Sequence, residues 1–285
     1  MLPINTKILT PNGWQKIKDI HKDDYVFNKD GNCIKVNNES KIENKNLYEI
    51  IFIDNIKIQC SIDHIWNVTT YTSFFQQYQF LSINDIIQNY QLIDLQGIYQ
   101  LAIAINKPVQ FKYNKKHTIN PYIYGVYINS NSNGVFTDLR ENLFNQLHII
   151  NDVQYIPYNY LYTSIENRLE LLRGLIDSYG KINKYGYIQI SIYNKQIYEN
   201  ISFLIHSLGY RYKLLSSKDG IYNIIIHNND NLLFTNNELL KSFNNRIITI
   251  NDHVLKIKSI NNLNKKVLMK NIVVDSYICE NFIVC

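Results

Sequence analysis

Both ends of the chain alternate apolar and polar residues in short runs closed by turn signals, whereas the middle carries longer runs with helical spacing. This change of period constrains the fold more than any other feature. Near the start, Thr6–Thr10 precedes the turn signal Pro11-Asn12-Gly13, and Trp14–Ile17 and Asp24–Phe27 lead to Lys29-Asp30-Gly31. Tyr48–Ile53 and Asn55–Cys60 flank another tight turn. Period-two alternation is what a strand with one buried face requires, and Gly-containing turn pairs between such runs favour hairpins. Over residues 82–90 a short helix is expected, with Ser82 as candidate N-cap, Asp85 in the first turn, and Ile86 and Ile87 as its apolar face.

The middle reads differently. Pro121–Ile128 is an apolar run just after Thr118-Ile119-Asn120, and Ile165–Ile176 sets Leu169, Leu171, Leu172, Leu175 and Ile176 at helical spacing. Tyr187–Ile192 alternates as a strand, and Lys195–Leu208 is helical and stopped by Gly209, a good residue for the position after a helix. Tyr210–Leu215 and Ile221–Ile226 flank Lys218-Asp219-Gly220 as a hairpin, and from Arg246 the tail returns to short strands. The order β, mixed α/β, β predicts one domain inserted into another: residues 1–105 and 246–285 forming an all-β domain, and residues 106–245 an α+β domain.

Bulk properties exclude several classes. A chain of 285 residues, 46% hydrophobic, has enough apolar material for two ordinary domains and is not disordered. No apolar run reaches the ~18 residues a membrane helix needs, and Met1-Leu2-Pro3-Ile4-Asn5-Thr6-Lys7 shows no secretory signal. The cysteines Cys33, Cys60, Cys279 and Cys285 have no CxxC spacing, so neither a zinc site nor a disulfide framework is expected. A reduced, intracellular compartment fits best. The 47 Ile and 40 Asn against 2 Ala fit an A/T-rich genome, with an Asn-rich, aggregation-prone composition as the other reading. The net charge of +5 sits entirely in residues 106–250, which hold 15 basic and 10 acidic side chains; the flanking segments balance at 14 and 14. Such a local excess suits a polyanion partner, and a solvated surface accounts for it equally.

Three regions together carry a family resemblance. Leu2-Pro3-Ile4-Asn5-Thr6-Lys7-Ile8-Leu9-Thr10-Pro11-Asn12-Gly13, continuing to Asp24-Tyr25-Val26, resembles the first splicing block of inteins. Cys60-Ser61-Ile62-Asp63-His64 resembles the second, with Ser61 where the T-x-x-H pattern has Thr. Asn271-Ile272-Val273-Val274-Asp275 and Asn281-Phe282-Ile283-Val284 resemble the C-terminal blocks. Between them, Ile123-Tyr124-Gly125-Val126-Tyr127-Ile128 and Leu172-Arg173-Gly174-Leu175-Ile176-Asp177-Ser178-Tyr179-Gly180 resemble the two motifs of a LAGLIDADG homing endonuclease. The resemblance implies an all-β, horseshoe-like Hint domain built from both chain ends, with an α+β endonuclease-like domain inserted and its first half abridged.

The chemistry this implies has lost key groups. Splicing starts when Cys, Ser or Thr at the first intein residue attacks the preceding carbonyl; Met1 has only a thioether. Splicing ends when a terminal Asn, usually preceded by His, cyclises, whereas this sequence stops at Ile283-Val284-Cys285. Loss of splicing is therefore the expectation. His64 matches the histidine that protonates the scissile amide, or is an imidazole hydrogen-bonded within the β core; Cys285 reads as a leftover thiol. In the nuclease motifs, Gly125 and Gly174 let two helices approach closely. The eighth positions, normally acidic metal ligands, fall on Ser130 and Tyr179, and Asp177 occupies the sixth. No metal or other cofactor is expected, unless a shifted motif recruits Asp177 for magnesium.

Lys181, Lys184, Tyr185, Lys195, Arg211, Tyr212, Lys213 and Lys218 interleave base and aromatic character on the second half, as nucleic-acid contact requires, although the Tyr-rich composition alone would also produce this. The expected function is an intein-derived protein that has lost splicing and cleavage and persists as a DNA- or RNA-binding or structural component, in a larger nucleoprotein assembly and without a membrane partner. The other readings are a free-standing endonuclease cutting double-stranded DNA with a divalent metal, and a protein–protein module on a Hint scaffold.

Overall fold

The computed structural model describes residues 1–72, 75–92, 100–112, 117–128, 155–183, 187–218, 220–227, 233 and 254–285. Ser130, Lys184 and Tyr185 lie outside the described residues, as does the start of the tail at Arg246. The fold is mixed, mostly β with some helices. The chain divides into two compact units, one made of Met1–Gln110 and His253–Cys285, the other of Phe111–Asp252.

In chain order the first unit contributes β1 (Leu2–Pro3), β2 (Lys7–Thr10), β3 (Gly13–Lys16), β4 (Tyr25–Phe27), β5 (Cys33–Lys35), β6 (Asn38–Glu39), β7 (Glu43–Phe52), β8 (Lys57–Cys60), β9 (Ile65–Thr72), β10 (Phe75–Ser82), α1 (Ile83–Asn89) and β11 (Leu101–Ala104). The second unit follows with α2 (Pro121–Tyr127), α3 (Tyr158–Leu161), α4 (Ile165–Tyr179), β12 (Lys181–Ile182), β13 (Ile188–Ile192), α5 (Lys195–Ser207), β14 (Arg211–Lys218) and β15 (Ile221–His227). The first unit is completed by β16 (Val254–Lys270), β17 (Ile272–Val273), β18 (Ile278–Cys279) and β19 (Ile283–Val284).

The main sheet of the first unit has the order β10-β9-β11-β16-β7-β8, with β1 also paired to β16. Its spine is β16. The sequence predicts short strands here, yet 17 residues run as one strand. Register shifts at Ile257/Ser259 and Asn262/Lys266 let it bend without ending, so it pairs with β11 at one end, β7 in the middle and β1 at the other. A smaller sheet, β19-β18-β2-β3, joins the two chain ends.

Local chemistry sets the turns. Gly13 and Gly31 adopt φ of 95° and 78°, a region costly for residues with a Cβ. A Cβ on Gly31 would also lie 2.1 Å from the Pro108 carbonyl oxygen. In the β7–β8 hairpin Asn55 takes φ 64°, which Asn tolerates better than most residues. Ser82 and Asp85 cap α1 reciprocally, each side chain accepting from the other residue's backbone N–H.

The core gathers Leu2, Ile8, Ile50, Phe52, Trp66, Ile257 and Ile283, all essentially without solvent contact; burying each such side chain contributes roughly 1.5–3 kcal/mol. One buried cation pins the layers: Lys270 Nζ donates to Ile20 O at 2.6 Å, to Lys18 O at 3.3 Å and to the Glu39 carboxylate. Those contacts, Lys270 foremost, pull the Glu39 pKa down to about 2.

In the second unit α2, α4 and α5 begin at Asn120, Ser164 and Asn194, whose side-chain oxygens accept from first-turn N–H groups. Gly209, at φ 79°, follows α5. Helices α2 and α4 cross at Gly125 and Gly174: a Cβ on Gly125 would sit 2.1 Å from Leu171 O, and one on Gly174 2.0 Å from Tyr122 O. The sheet β12-β13-β15-β14 buries Ile188, Ile190 and Ile192 on one face.

Candidate functional site

Pairing of Leu2 with Lys270 on β16 brings Met1 against the turn that leaves β8. In that turn His64 N–H donates to Ser61 O at 3.1 Å, and Ser61 N–H donates to Met1 O at 2.9 Å. The Met1 amine donates to Ser61 Oγ at 2.6 Å and stands 3.2 Å from His64 Nδ1 and 3.7 Å from Asp63 Oδ1. The Ser61 hydroxyl donates to Asp63 Oδ1. Two residues from opposite ends of a 60-residue separation thus share one polar cluster.

Its electrostatics follow from burial. Burial lowers the pKa of the Met1 amine, with Asp63 opposing the shift. Burial works to raise the Asp63 carboxyl, but the Ser61 hydroxyl, the amine and Lys45 outweigh it, so its pKa falls below the ordinary value. The His64 imidazole is pushed well below its usual pKa, by burial first and by the neighbouring amine second. Its ring packs edge-on to Trp66 with centroids 4.7 Å apart. An ammonium can only donate, so Nδ1 accepts and the ring proton belongs on Nε2. That nitrogen is buried without a partner among the described residues.

The cluster forms one side of a cleft of about 370 Å³, and Asn271–Tyr277, Lys29, Phe80 and Cys285 line the rest. Asn271 is anchored through its N–H to Ser40 Oγ at 2.9 Å, and Lys29 N–H reaches Ser276 Oγ at 3.1 Å. The lip is apolar and open: Phe80, Ile65 and Val273 are 70%, 56% and 49% exposed. Of the residues the sequence marks for splicing chemistry, Met1, Ser61 and His64 touch one another, while Asn271 and Cys285 line the same cleft. Sequence reasoning passed over Asp63, Asp275 and Tyr277, which also line it. Asp63 was visible inside the Ser61–His64 block, and nothing in the sequence pointed to the Tyr277 hydroxyl, buried without a partner among the described residues.

Comparison with known proteins adds the following. No family model matches the chain. The replicative DNA helicase DnaB of Mycobacterium intracellulare is 22% identical over 246 residues, covering 74% of this chain and 42% of that protein. The chain therefore spans less than half the length of that curated relative. Among solved structures, the gp41-1 intein is 22% identical, covering 35% of this chain and 72% of its own, with a TM-score of 0.26. The Msm DnaB1 intein splicing domain bound with zinc is 25% identical, covering 24% and 54%, with a TM-score of 0.23. The MchDnaB-1 intein is 24% identical, covering 27% and 58%, with a TM-score of 0.23. The chain is similar to inteins.

The second unit places the remaining marked residues. Across its sheet, Lys181 pairs with Gln189, Gln189 with Ile225 and Ile225 with Lys213. These four form one transverse row on the face opposite buried Ile188 and Ile190. Ser191 Oγ donates to Asn223 Oδ1 at 2.6 Å in the next row. Lys195 is not on this face; it begins α5 and lies 3.8 Å from Glu199. Tyr212 turns to the helix side, its hydroxyl 2.8 Å from that of Tyr198 and 2.9 Å from Ser202 Oγ, so it is not a stacking platform on the outer face. Arg211 is buried, and β14 ends at Lys218.

Asp177, one residue pair before the end of α4, accepts from the Tyr122 hydroxyl at 3.2 Å, and Tyr179 closes that helix. The homing-endonuclease alternative implies a divalent metal, and the donor set does not fit one. The motif brings a single carboxylate, already hydrogen-bonded, and a phenol, and among the described residues no cluster of three His, Cys, Asp or Glu could hold an ion.

Proposed function

We propose that this chain derives from an intein carrying a LAGLIDADG-type insertion, that it neither splices nor cuts DNA, and that its second unit binds nucleic acid. The observation that carries the first part is the contact of the position-1 nitrogen with Ser61 Oγ at 2.6 Å and His64 Nδ1 at 3.2 Å. Where that nitrogen belongs to a peptide bond, Ser61 and His64 flank the amide whose carbonyl a side chain at position 1 would attack, and His64 is placed to protonate the departing nitrogen. The open apolar lip at Ile65, Phe80 and Val273 suits an extended peptide. Met1 is the missing part: a thioether offers neither a proton to give up nor an acyl acceptor.

A fusion protein tests this. With a folded tag ahead of Met1 and dithiothreitol present, the natural sequence should release no tag. Met1→Cys should release it through a thioester, and adding His64→Ala should slow that release by on the order of 100-fold or more. Tag release from the natural sequence, or none from a folded Met1→Cys chain, would sink the proposal.

The nucleic-acid part rests on the row Lys181, Gln189, Ile225 and Lys213, two cations at either side of a polar sheet face. Both charges meet phosphates, and the amide-bearing Gln189 and Asn223 lie between them. Affinity for a DNA duplex should fall with salt. Lys181→Gln and Lys213→Gln should each reduce the slope of log K against log salt by about 0.9. A slope unchanged in the double variant removes this face as the interface.

A further inference from the structure

We propose that Cys279 and Cys285 form a reversible intramolecular disulfide, oxidised by a small-molecule disulfide such as glutathione disulfide. All four cysteines carry free thiols. Strands β18 and β19 pair Ile278 with Val284 and Cys279 with Ile283. The pairing extends one position further, because Tyr277 and Cys285 exchange two backbone hydrogen bonds of 2.9 Å. Side chains alternate along each strand, so Cys279 and Cys285 occupy diagonal positions on one face of the hairpin. Their Sγ atoms stand 2.8 Å apart, and Cys279 Sγ also donates to Ile283 O at 3.2 Å. Reaching a bond length of ~2.05 Å asks for less than an ångström of movement. The turn between them holds Asn281 and Phe282 at φ 60° and 54°, so the hairpin is already bent into the shape a bridge would fix.

Access decides the order of events. Cys279 is fully buried, whereas Cys285 is partly exposed and lines the cleft beside Met1 and His64. The Cys285 thiolate attacks one sulfur of the small disulfide, forming a mixed disulfide and expelling one thiolate. Cys279 then gives its proton to the small thiolate just expelled, and its own thiolate attacks Sγ of Cys285, expelling the second small thiolate. The two cysteines give up two protons and two electrons; the small disulfide becomes two thiols. Burial raises the Cys285 thiol well above its ordinary pKa, so the exchange runs faster as pH rises. The bridge would sit in the wall of the cleft, independently of whether that cleft serves splicing chemistry.

The test uses the full chain with Cys33→Ser, which removes the other partly exposed thiol. The protein is held at pH 8 in a glutathione redox mixture, quenched with acid, alkylated, digested and mapped by mass spectrometry. The expected product is a peptide linking 279 to 285 and lacking two hydrogens. It should be at least about tenfold more abundant in native buffer than in urea at the same glutathione ratio, and dithiothreitol should reverse it. Adding Cys279→Ser should arrest Cys285 as its glutathione adduct. A stable adduct on Cys285 with Cys279 intact, a link through Cys60, equal linkage in urea, or no thiol loss over a day would each overturn the proposal.

Discussion

His64 couples the cleft to pH. Buried and held neutral, it has a folded pKa well below that of the unfolded chain. Between the two values the unfolded state binds more protons, so stability rises with pH there and is lost as pH drops below about 6.5, at up to about 1.4 kcal/mol per pH unit for one group. The Met1 amine, lowered by burial, carries the same sign at higher pH. Glu39, held at about 2 by Lys270, adds a loss only as pH falls from its unfolded value toward 2. The window from pH 6.5 to 5 therefore belongs to buried histidine, and His206 of the second unit has the same sign. His64→Gln separates them. Urea unfolding at pH 7.5 and 5.0 should show a smaller acid-induced loss for the first-unit transition in the variant than in the natural chain. Equal losses would mean that His64 is not the group being titrated.

At the scale of elements, what could be read in advance was local. Ser82 with Asp85 and Gly209 after α5 each satisfy backbone groups within a few residues, so the sequence alone shows them. Gly125 and Gly174 stood out only through the resemblance of their motifs; in the structure a Cβ on either would lie 2.0–2.1 Å from a facing carbonyl oxygen. What escaped was made by distance in sequence. β16 stays continuous while pairing with three partner strands and bulging twice against β7, and no periodicity marks a bulge that a partner strand imposes. Asp63 and Tyr277 became site residues only because Met1 lands on Ser61, and the thiol pair only because Tyr277 and Cys285 pair across a hairpin. Tyr212 faces α5 because it pairs with buried Ile226, one residue out of phase with Lys213 on the same strand.

At the scale of the whole molecule, the charge and the topology divide differently: Lys107 belongs to the first unit and Asp252 to the second, so the first unit holds 15 basic and 13 acidic side chains and the second 14 and 11. The basic excess lies within residues 106–250, and the flanking segments are balanced. The first unit closes on itself without the second: Ala104 pairs with Val254 across β11 and β16, and Gln110 N–H returns to Gly31 O at 2.8 Å. The chain therefore leaves and re-enters this unit beside one sheet. Replacing residues 111–252 by a linker of about 8 Gly and Ser residues, which can span up to about 27 Å, should leave a cooperative unit. Closing so short a loop costs less than ordering the long insertion, because closure entropy grows with loop length. The shortened chain should melt in one transition, with the β-rich circular dichroism of the first unit, and should lose salt-dependent DNA binding together with the row of Lys181 and Lys213. A shortened chain that melts without cooperativity would mean that the insertion is part of the first unit's core. One that folds and still binds DNA with the same salt slope would move the interface from the second unit to the first.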